Sequence, residues 1–159
     1  MLGNDVDAKV LFVCTANVCR SPMAEAISIA LAEEQRVPWR ARSAGVKALV
    51  GEGISPGARA ALEEIGIYMG DHRARQVNPL MLQEADLVLA MTLKHADFLR
   101  RLWPPTSDKV HTLAAFADGA TEGEGIPDPY GQSMTAHRAS VRQLLSYLGE
   151  VVRRTGRDK

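Results

Sequence analysis

The chain has 159 residues and a mass of 17.3 kDa, which suits one domain over residues 1–159. Apolar residues make up 46% and charged residues 24%, a globular rather than a disordered composition. The 19 basic and 19 acidic residues cancel, so the basic excess of a general nucleic-acid binder is missing. No apolar run approaches the roughly 18 residues of a membrane span, and the polar N-terminus differs from a signal peptide. We therefore expect a cytoplasmic protein.

The chain contains two cysteines, Cys14 and Cys19, both in one short stretch. A secreted scaffold held by disulfides needs more cysteines, and a zinc site with four cysteines is impossible. We therefore expect no metal site, and the function of the two cysteines has to be sought in the segment that holds them.

The first strand and helix are indicated by their apolar patterns. The run from Val10 to Val13 suits a strand buried on both faces. Ser21-Pro22 suits the N-cap and first position of a helix over 22 to about 35. The remaining elements are predicted as a strand over 39–44, a helix from Ser55-Pro56 to Gly66, a strand over 85–91, a helix over 93–102 capped by Thr92, a strand over 109–113 and a last helix with an apolar stripe from Val141 to Val152.

This alternation of strands and helices indicates an α/β fold with a parallel sheet. Ligands in such folds bind at the carboxyl ends of the strands. Because the first strand ends at Val13, the next residue, Cys14, lies where a ligand belongs.

The loop between the first strand and the first helix, from Cys14 to Ser21, has the chemistry of an anion site. Backbone N–H groups and the helix dipole in such a loop favour an anion, and the planar guanidinium of Arg20 suits phosphate. The same positive field favours a thiolate at Cys14, to which Ser21 could donate a hydrogen bond. A thiolate facing a bound phosphate is a nucleophile for phosphoryl transfer.

A structural interpretation of the same residues is also open. A cysteine at a strand end is often a small buried hydrophobe, and Cys-x5-Arg spacing is common by chance. The position of the loop between a buried strand and a Ser-Pro helix start favours the functional interpretation.

The stretch from Val10 to Ala26, VLFVCTANVCRSPMAEA, resembles the signature of the low-molecular-weight protein-tyrosine phosphatases, Cys-x-Gly-Asn-x-Cys-Arg-Ser-Pro. The resemblance covers nearly the whole chain in the family's order, through Ser43-Ala44-Gly45, residues 72–76, residues 85–91 and Asp128-Pro129-Tyr130. It implies a three-layer α/β/α fold with a central four-stranded parallel sheet in the order 2-1-3-4 and the phosphate loop after strand 1. One departure is Ala16, which replaces the usual glycine and carries strain if this position needs a positive φ.

The resemblance also implies a reaction in two steps, without a cofactor, on phosphorylated proteins. Cys14 attacks phosphorus, Asp128 protonates the leaving group, and water hydrolyses the phosphocysteine. Without the resemblance, Asp128 is more readily a turn residue of a polar loop. The phosphate is held by Arg20 and by the loop residues Thr15, Ala16, Asn17, Val18, Cys19 and Ser21. We expect the enzyme to act as a monomer.

The family holds its loop open with a network that Asn17, Ser43 and His72 match in this chain. From spacing alone, a solvated or capping histidine is the favoured interpretation of His72. Cys19 matches a second loop cysteine of the family. It serves either for packing or for a reversible disulfide with Cys14 that protects the nucleophile from over-oxidation.

Three other functions share this fold. Thioredoxin-linked arsenate reductases need cysteines outside the loop, and this chain has none there. Phosphate-binding or carrier modules without turnover lack the combination of Arg20 and Asp128. The bacterial protein-arginine phosphatases resemble the chain closely over residues 85–92 and 109–113, and in Asp-Pro-Tyr-Gly at 128–131.

Two positions bear on the choice between phosphotyrosine and phosphoarginine. Arginine phosphatases carry threonine at the position of Val18, a side chain that we expect at the mouth of the site beside the leaving group. Val18 has no hydrogen bond to offer a guanidinium, and this favours phosphotyrosine. Leu49 stands where tyrosine phosphatases often place an aromatic residue, which weighs against phosphotyrosine and leaves Tyr130 as the one aromatic wall. Phosphotyrosine is the favoured substrate, and phosphoarginine is the leading alternative.

Overall fold

The sheet of the protein is parallel and has four strands. The computed structural model describes residues 7–119 and 125–157, and the other positions of the predicted domain lie outside the described residues. The strands are hydrogen-bonded in the order β2-β1-β3-β4, which confirms the predicted order 2-1-3-4. Their bounds are β1 Ala8–Cys14, β2 Trp39–Gly45, β3 Leu87–Ala90 and β4 Val110–Thr112.

Helices follow the strands as the alternation predicted. The described residues form α1 Arg20–Gln35, α2 Pro56–Glu64, α3 Pro79–Glu84, α4 Leu93–Leu102, α5 Leu113–Asp118 and α6 Met134–Arg157, with a 3₁₀ helix at Pro104–Lys109. The sequence analysis did not predict α3 and α5, which have six residues each. They are too short to display a helical repeat of apolar side chains. None of the helices in the described ranges is long and apolar enough to cross a lipid bilayer.

Two apolar clusters cover the two faces of the sheet. Along β1, Phe12 and Cys14 belong to the cluster that includes side chains of α1, α2 and α6. Leu11 and Val13 belong to the second cluster, which includes side chains of α3 and α4. Because successive side chains of a strand point to opposite faces, this division produces three layers, as predicted.

The start of α1 differs from the prediction that Ser21 caps it. The helix begins at Arg20, and Cys19 occupies the N-cap position without a side-chain hydrogen bond. Ser21 lies in the first turn, where its hydroxyl is bonded to Asn17 and Cys14 instead. The prediction was wrong because the tertiary partners of this serine compete with the local cap.

The loop after β1 takes its left-handed turn at Asn17, with φ of 63°, and not at Ala16. Asparagine tolerates this conformation better than most residues other than glycine. The strain considered for Ala16 therefore does not arise. A glycine is needed instead at Gly45, at the end of β2, where a Cβ would collide with the carbonyl oxygen of Thr15.

Candidate active site

The loop over residues 14–19 turns its carbonyl groups outward. The carbonyls of Cys14, Thr15, Ala16 and Val18 accept hydrogen bonds from the N–H groups of Val46, Lys47, Leu49 and Ser55, at 2.9–3.0 Å. In a trans peptide the N–H points opposite to the C=O, so these contacts turn the amides of the loop inward. Within the described part of the chain, the N–H groups of residues 15–19 have no hydrogen-bond acceptor. The loop therefore presents a set of unused donors.

Cys14 lies at the carboxyl end of β1, in front of these amides. Its side chain is buried, and its Sγ is 2.9 Å from the Oγ of Ser21. The same Oγ accepts a hydrogen bond from the Asn17 side-chain amide at 2.8 Å. The Ser21 hydroxyl has one hydrogen, for which the Ala44 carbonyl at 3.4 Å and, at the shorter distance, a Cys14 thiolate are the acceptors.

Asn17 is fully buried, and its side-chain amide and its carbonyl all have partners. Its Nδ2 also donates to the Oγ of Ser43 at 3.0 Å, and its Oδ1 accepts from the N–H of Arg75 at 2.9 Å. The ring of His72 donates from Nε2 to the Asn17 carbonyl at 2.7 Å. The structure thus brings together Asn17, Ser43 and His72, and these contacts fix the left-handed turn of the loop.

Glu25 extends this network and was missed by the sequence analysis. Its Oε1 accepts a hydrogen bond from the hydroxyl of Ser43 at 2.7 Å. Glu25 lies four residues after Ser21 on α1, and this spacing places the two side chains on the same face of the helix. The spacing was the available sequence signal, although it does not reveal Ser43 as the partner.

Arg20 is the buried cation of the site, and only 5% of its surface is exposed. One terminal nitrogen donates to the carbonyl of Ile126 at 3.1 Å, and the other donates to the Thr15 hydroxyl at 3.3 Å. Its Nε is buried and has no hydrogen-bond partner among the described residues. Because buried donors are nearly always paired in folded proteins, this nitrogen and the unused amides fit a bound anion.

Asp128 approaches the loop from the segment before α6. Its Oδ2 is 3.5 Å from the second terminal nitrogen of Arg20, and half of its side chain is exposed. The Oδ1 accepts from the N–H of Tyr130 at 3.1 Å. The segment is held at its start by a hydrogen bond from the Ile126 N–H to the Met91 carbonyl, at 3.0 Å. A carboxyl group thus stands between the phosphate loop and solvent.

Cys19 differs from Cys14 in its surroundings. Its Sγ is 2.8 Å from the Oγ of Ser55, and burial raises the pKa of the Cys19 thiol to about 11. Both cysteines are free thiols in this structure. The disulfide between them stays a prediction.

The three side chains assigned to the substrate differ in exposure. Leu49 is 44% exposed and Tyr130 is 55% exposed. Leu49 is also tied by its N–H to the Ala16 carbonyl, which places it beside the loop. Val18 is only 4% exposed and belongs to the apolar cluster under α1. It lies deeper than the position at the mouth that the sequence analysis expected.

His95 on α4 is a second residue that the sequence analysis missed. It is 5% exposed, and its Nε2 lies 2.8 Å from the Thr15 hydroxyl. Burial, reinforced by the charge of Arg20, lowers the pKa of His95 to about 4, so the imidazole is neutral at pH 7. A histidine one turn after the end of β3 was the only available signal, because its partner is 80 positions away in the sequence.

Together, these groups are suited to nucleophilic attack on a bound anion. A buried thiol faces inward-pointing amides and an arginine, and a carboxyl group stands at the entrance. In the described ranges, no cluster of three or more histidine, cysteine, aspartate or glutamate side chains is suited to hold a metal ion. The fold and the site define a cysteine-dependent phosphatase.

The comparisons with known proteins agree with this class. The family model of low molecular weight phosphotyrosine protein phosphatases matches residues 9–158, so the chain belongs to that family. It is 40% identical over 137 residues to a protein-arginine-phosphatase of Geobacillus stearothermophilus, covering 86% of this chain and 88% of the relative. It is 41% identical over 128 residues to a low molecular weight protein-tyrosine-phosphatase of Streptomyces coelicolor, covering 77% of each chain.

A solved structure supports the same conclusion. The low molecular weight protein tyrosine phosphatase from T. tengcongensis superposes with a TM-score of 0.87 at 37% identity, over 93% of this chain and 99% of that chain. The protein is therefore a protein phosphatase and a hydrolase. Relatives of similar identity carry names for two different substrates, phosphotyrosine and phosphoarginine.

Proposed function

We propose that this protein hydrolyses phosphotyrosine in proteins through a phosphocysteine at Cys14. The observation that carries the proposal is the buried Arg20 whose Nε lacks a partner beside the unused amides of residues 15–19. Such a set of donors is suited to the oxygens of a phosphoryl group as charge develops on them. The thiol of Cys14 stands at the end of β1, on the same loop.

The reaction follows from the placement of three side chains. The sulfur of Cys14 reacts as the thiolate and forms a bond to phosphorus while the bond from phosphorus to the leaving oxygen breaks. Asp128 donates its proton to that oxygen, and Arg20 holds the phosphoryl oxygens. In the second step a water molecule attacks phosphorus, Asp128 takes its proton, and the sulfur–phosphorus bond breaks to release phosphate and the Cys14 thiolate.

The choice of an aryl phosphate is supported by the side chains around the mouth. Leu49 and Tyr130 are both substantially exposed, and each is connected through its backbone to the loop or to Asp128. They offer apolar contact to a phenyl ring. Val18 lies deeper, in the apolar cluster under α1, and has no polar group to offer the N–H donors of a guanidinium. Each such donor buried without a partner costs about 1–3 kcal/mol.

Phosphoarginine is the alternative, and it is favoured by one observation. A protein-arginine-phosphatase matches this chain with 40% identity over 86% of its length, which is as similar as a tyrosine phosphatase that matches with 41% over 77%. The same Cys14, Arg20 and Asp128 would serve that reaction, with a guanidinium nitrogen as leaving group.

The test compares kcat/KM for two peptides of equal sequence, one with phosphotyrosine and one with phosphoarginine. We expect the tyrosine peptide to be preferred by the native protein. A preference for the arginine peptide would overturn the substrate and leave the catalytic residues in place. Binding of phosphate without turnover of either peptide would instead indicate a carrier module, and the Cys14→Ser variant gives the background rate for that comparison.

A further inference from the structure

The carboxyl end of β3 connects two of the partners of Arg20, Ile126 and Thr15. The Met91 carbonyl accepts from the N–H of Ile126 at 3.0 Å, and the carbonyl of Ile126 in turn accepts from Arg20 at 3.1 Å. The next residue, Thr92, caps α4 and lies 3.0 Å from the Nδ1 of His95. The hydrogen bonds on both sides of the Arg20 guanidinium thus lead to residues at the carboxyl end of β3.

The second side runs through a chain of partly buried hydrogen bonds. The Thr92 hydroxyl meets His95 Nδ1 at 3.0 Å, and His95 Nε2 meets the Thr15 hydroxyl at 2.8 Å. The Thr15 hydroxyl accepts from Arg20 at 3.3 Å. A neutral imidazole has one N–H and one lone pair, so it can donate to one threonine and accept from the other.

We propose that His95 is a positioning residue of the phosphate site, which acts through Thr15 to hold the Arg20 guanidinium so that its unpaired Nε faces the bound phosphate. The inference rests on the proposed function. His95 takes no part in the proposed reaction, and among the described residues the hydrogen bonds of its ring go to two threonine hydroxyls.

The physical reason lies in the freedom of the arginine side chain. Arg20 is held on one side by the Ile126 carbonyl, and among the residues that the structure describes the partners of the other terminal nitrogen are Thr15 and the half-exposed Asp128. A threonine hydroxyl can rotate about its own bond, so a second partner is needed to fix its direction. His95 provides that partner from the rigid start of α4, and preorganised donors bind an oxyanion more tightly than mobile ones.

The experiment measures the Kd for inorganic phosphate by calorimetry and kcat/KM for an aryl phosphate. His95→Leu keeps the volume of the side chain but removes both nitrogens. We expect Kd to rise about 5- to 20-fold, as for the loss of hydrogen bonds that orient a charged group. His95→Gln can place an amide near the position of Nε2, and we expect it to restore most of the affinity.

Thr15→Val removes the connecting hydroxyl without changing its shape, and it keeps the test valid if His95→Leu folds poorly. We expect the same rise in Kd from Thr15→Val, and no further rise in the double variant, because both substitutions break one chain. His137→Leu is the matched control. His137 is also buried and bonds the Ser133 carbonyl at 2.9 Å, away from the loop. We expect it to lower Tm without changing the phosphate Kd.

An unchanged Kd in His95→Leu and Thr15→Val, or additive effects in the double variant, would overturn the role of His95. A wild-type protein that binds phosphate but hydrolyses no phosphomonoester would contradict the proposed function instead. In that case the phosphate affinities alone would still decide whether His95 positions Arg20.

Discussion

The two halves of the phosphate loop differ in how completely their polar groups are paired. Around Asn17, each side-chain polar atom and the carbonyl have partners in β2, α1 or the segment of His72. Around Arg20, the Nε is unpaired and the facing carboxyl group of Asp128 is half exposed. Among the described residues the Asn17 side chain is fully paired within the protein, and only the backbone N–H groups of this half are left for a ligand. The second half leaves a donor of Arg20 without a partner among the described residues. This donor indicates where a phosphate binds.

The largest expected effect is the loss of turnover when Cys14, the nucleophile of the proposed reaction, is replaced. Cys14→Ser should abolish turnover, because the hydroxyl stays protonated at neutral pH. Phosphate binding should persist, since the amides and Arg20 are unchanged. Steady-state rates and calorimetry with inorganic phosphate measure the two effects. Retained turnover would show that Cys14 is not the nucleophile.

On the open half, Asp128→Asn should lower the rate on phosphotyrosine by roughly 10²–10⁴-fold, the usual range for general acid catalysis. Substrates with good leaving groups need less protonation and should lose less. A series of aryl phosphates with leaving groups of different pKa measures this dependence. An equal loss across the series would argue against Asp128 as proton donor.

On the paired half, Asn17→Ala should lower the free energy of unfolding of the protein. The substitution removes three side-chain hydrogen bonds and leaves a left-handed φ of 63° that alanine disfavours. We expect a loss of about 2–4 kcal/mol in the free energy of unfolding, measured in urea. Thr15→Val, on the other half, should change stability by less than half of that. Equal losses would remove the distinction between the two halves.

The raised pKa of Cys19 makes the rate of disulfide formation between the two cysteines depend on pH. Because the pKa of Cys19 is raised to about 11, only about one Cys19 thiol in 10⁴ is ionised at pH 7. A sulfenic acid at Cys14 would then be resolved slowly, and the rate of disulfide formation should rise about tenfold per pH unit between pH 7 and 10.

Mass spectrometry after mild peroxide should find the loss of two hydrogens in a peptide that contains both cysteines, and a thiol reductant should restore activity. Cys19→Ser should accumulate higher oxides of Cys14 under the same conditions. Irreversible sulfonate at Cys14 as the main product in the native protein would contradict the protective role of Cys19.

The smallest expected effect is at Val18. Because Val18 is 4% exposed, a threonine there would place its hydroxyl in an apolar environment, where a guanidinium could supply the missing partner. Val18→Thr should shift the ratio of kcat/KM toward phosphoarginine by about tenfold. Val18→Ile, which stays apolar, is the control. A ratio that does not change would show that Val18 takes no part in the choice of substrate.

Most of the fold follows from the pattern of apolar residues. The runs at Val10–Val13 and 85–91 predicted the two central strands because strands buried on both faces are apolar at consecutive positions. Thr92 and Ser55 were recognised as caps, and both accept the expected backbone hydrogen bond. The six-residue helices α3 and α5 were missed because they are shorter than two helical turns.

The features of the site also fall into two groups, those that follow from neighbouring residues in the sequence and those that depend on tertiary contacts. The sequence by itself determined the order thiol, loop, arginine, because these residues are neighbours in the chain and their spacing around a strand and a helix start defines a concavity. Only the tertiary structure decided that Ser21 bonds Asn17 rather than capping α1, that the left-handed turn falls on Asn17 rather than Ala16, and that Val18 is buried.

Glu25 and His95 belong to this second group. Their partners, Ser43 and Thr15, are separated from them by 18 and 80 positions in the sequence. A hydrogen bond over such a distance depends on the order of the strands and on the packing of the helices, and local residue patterns carry no record of either.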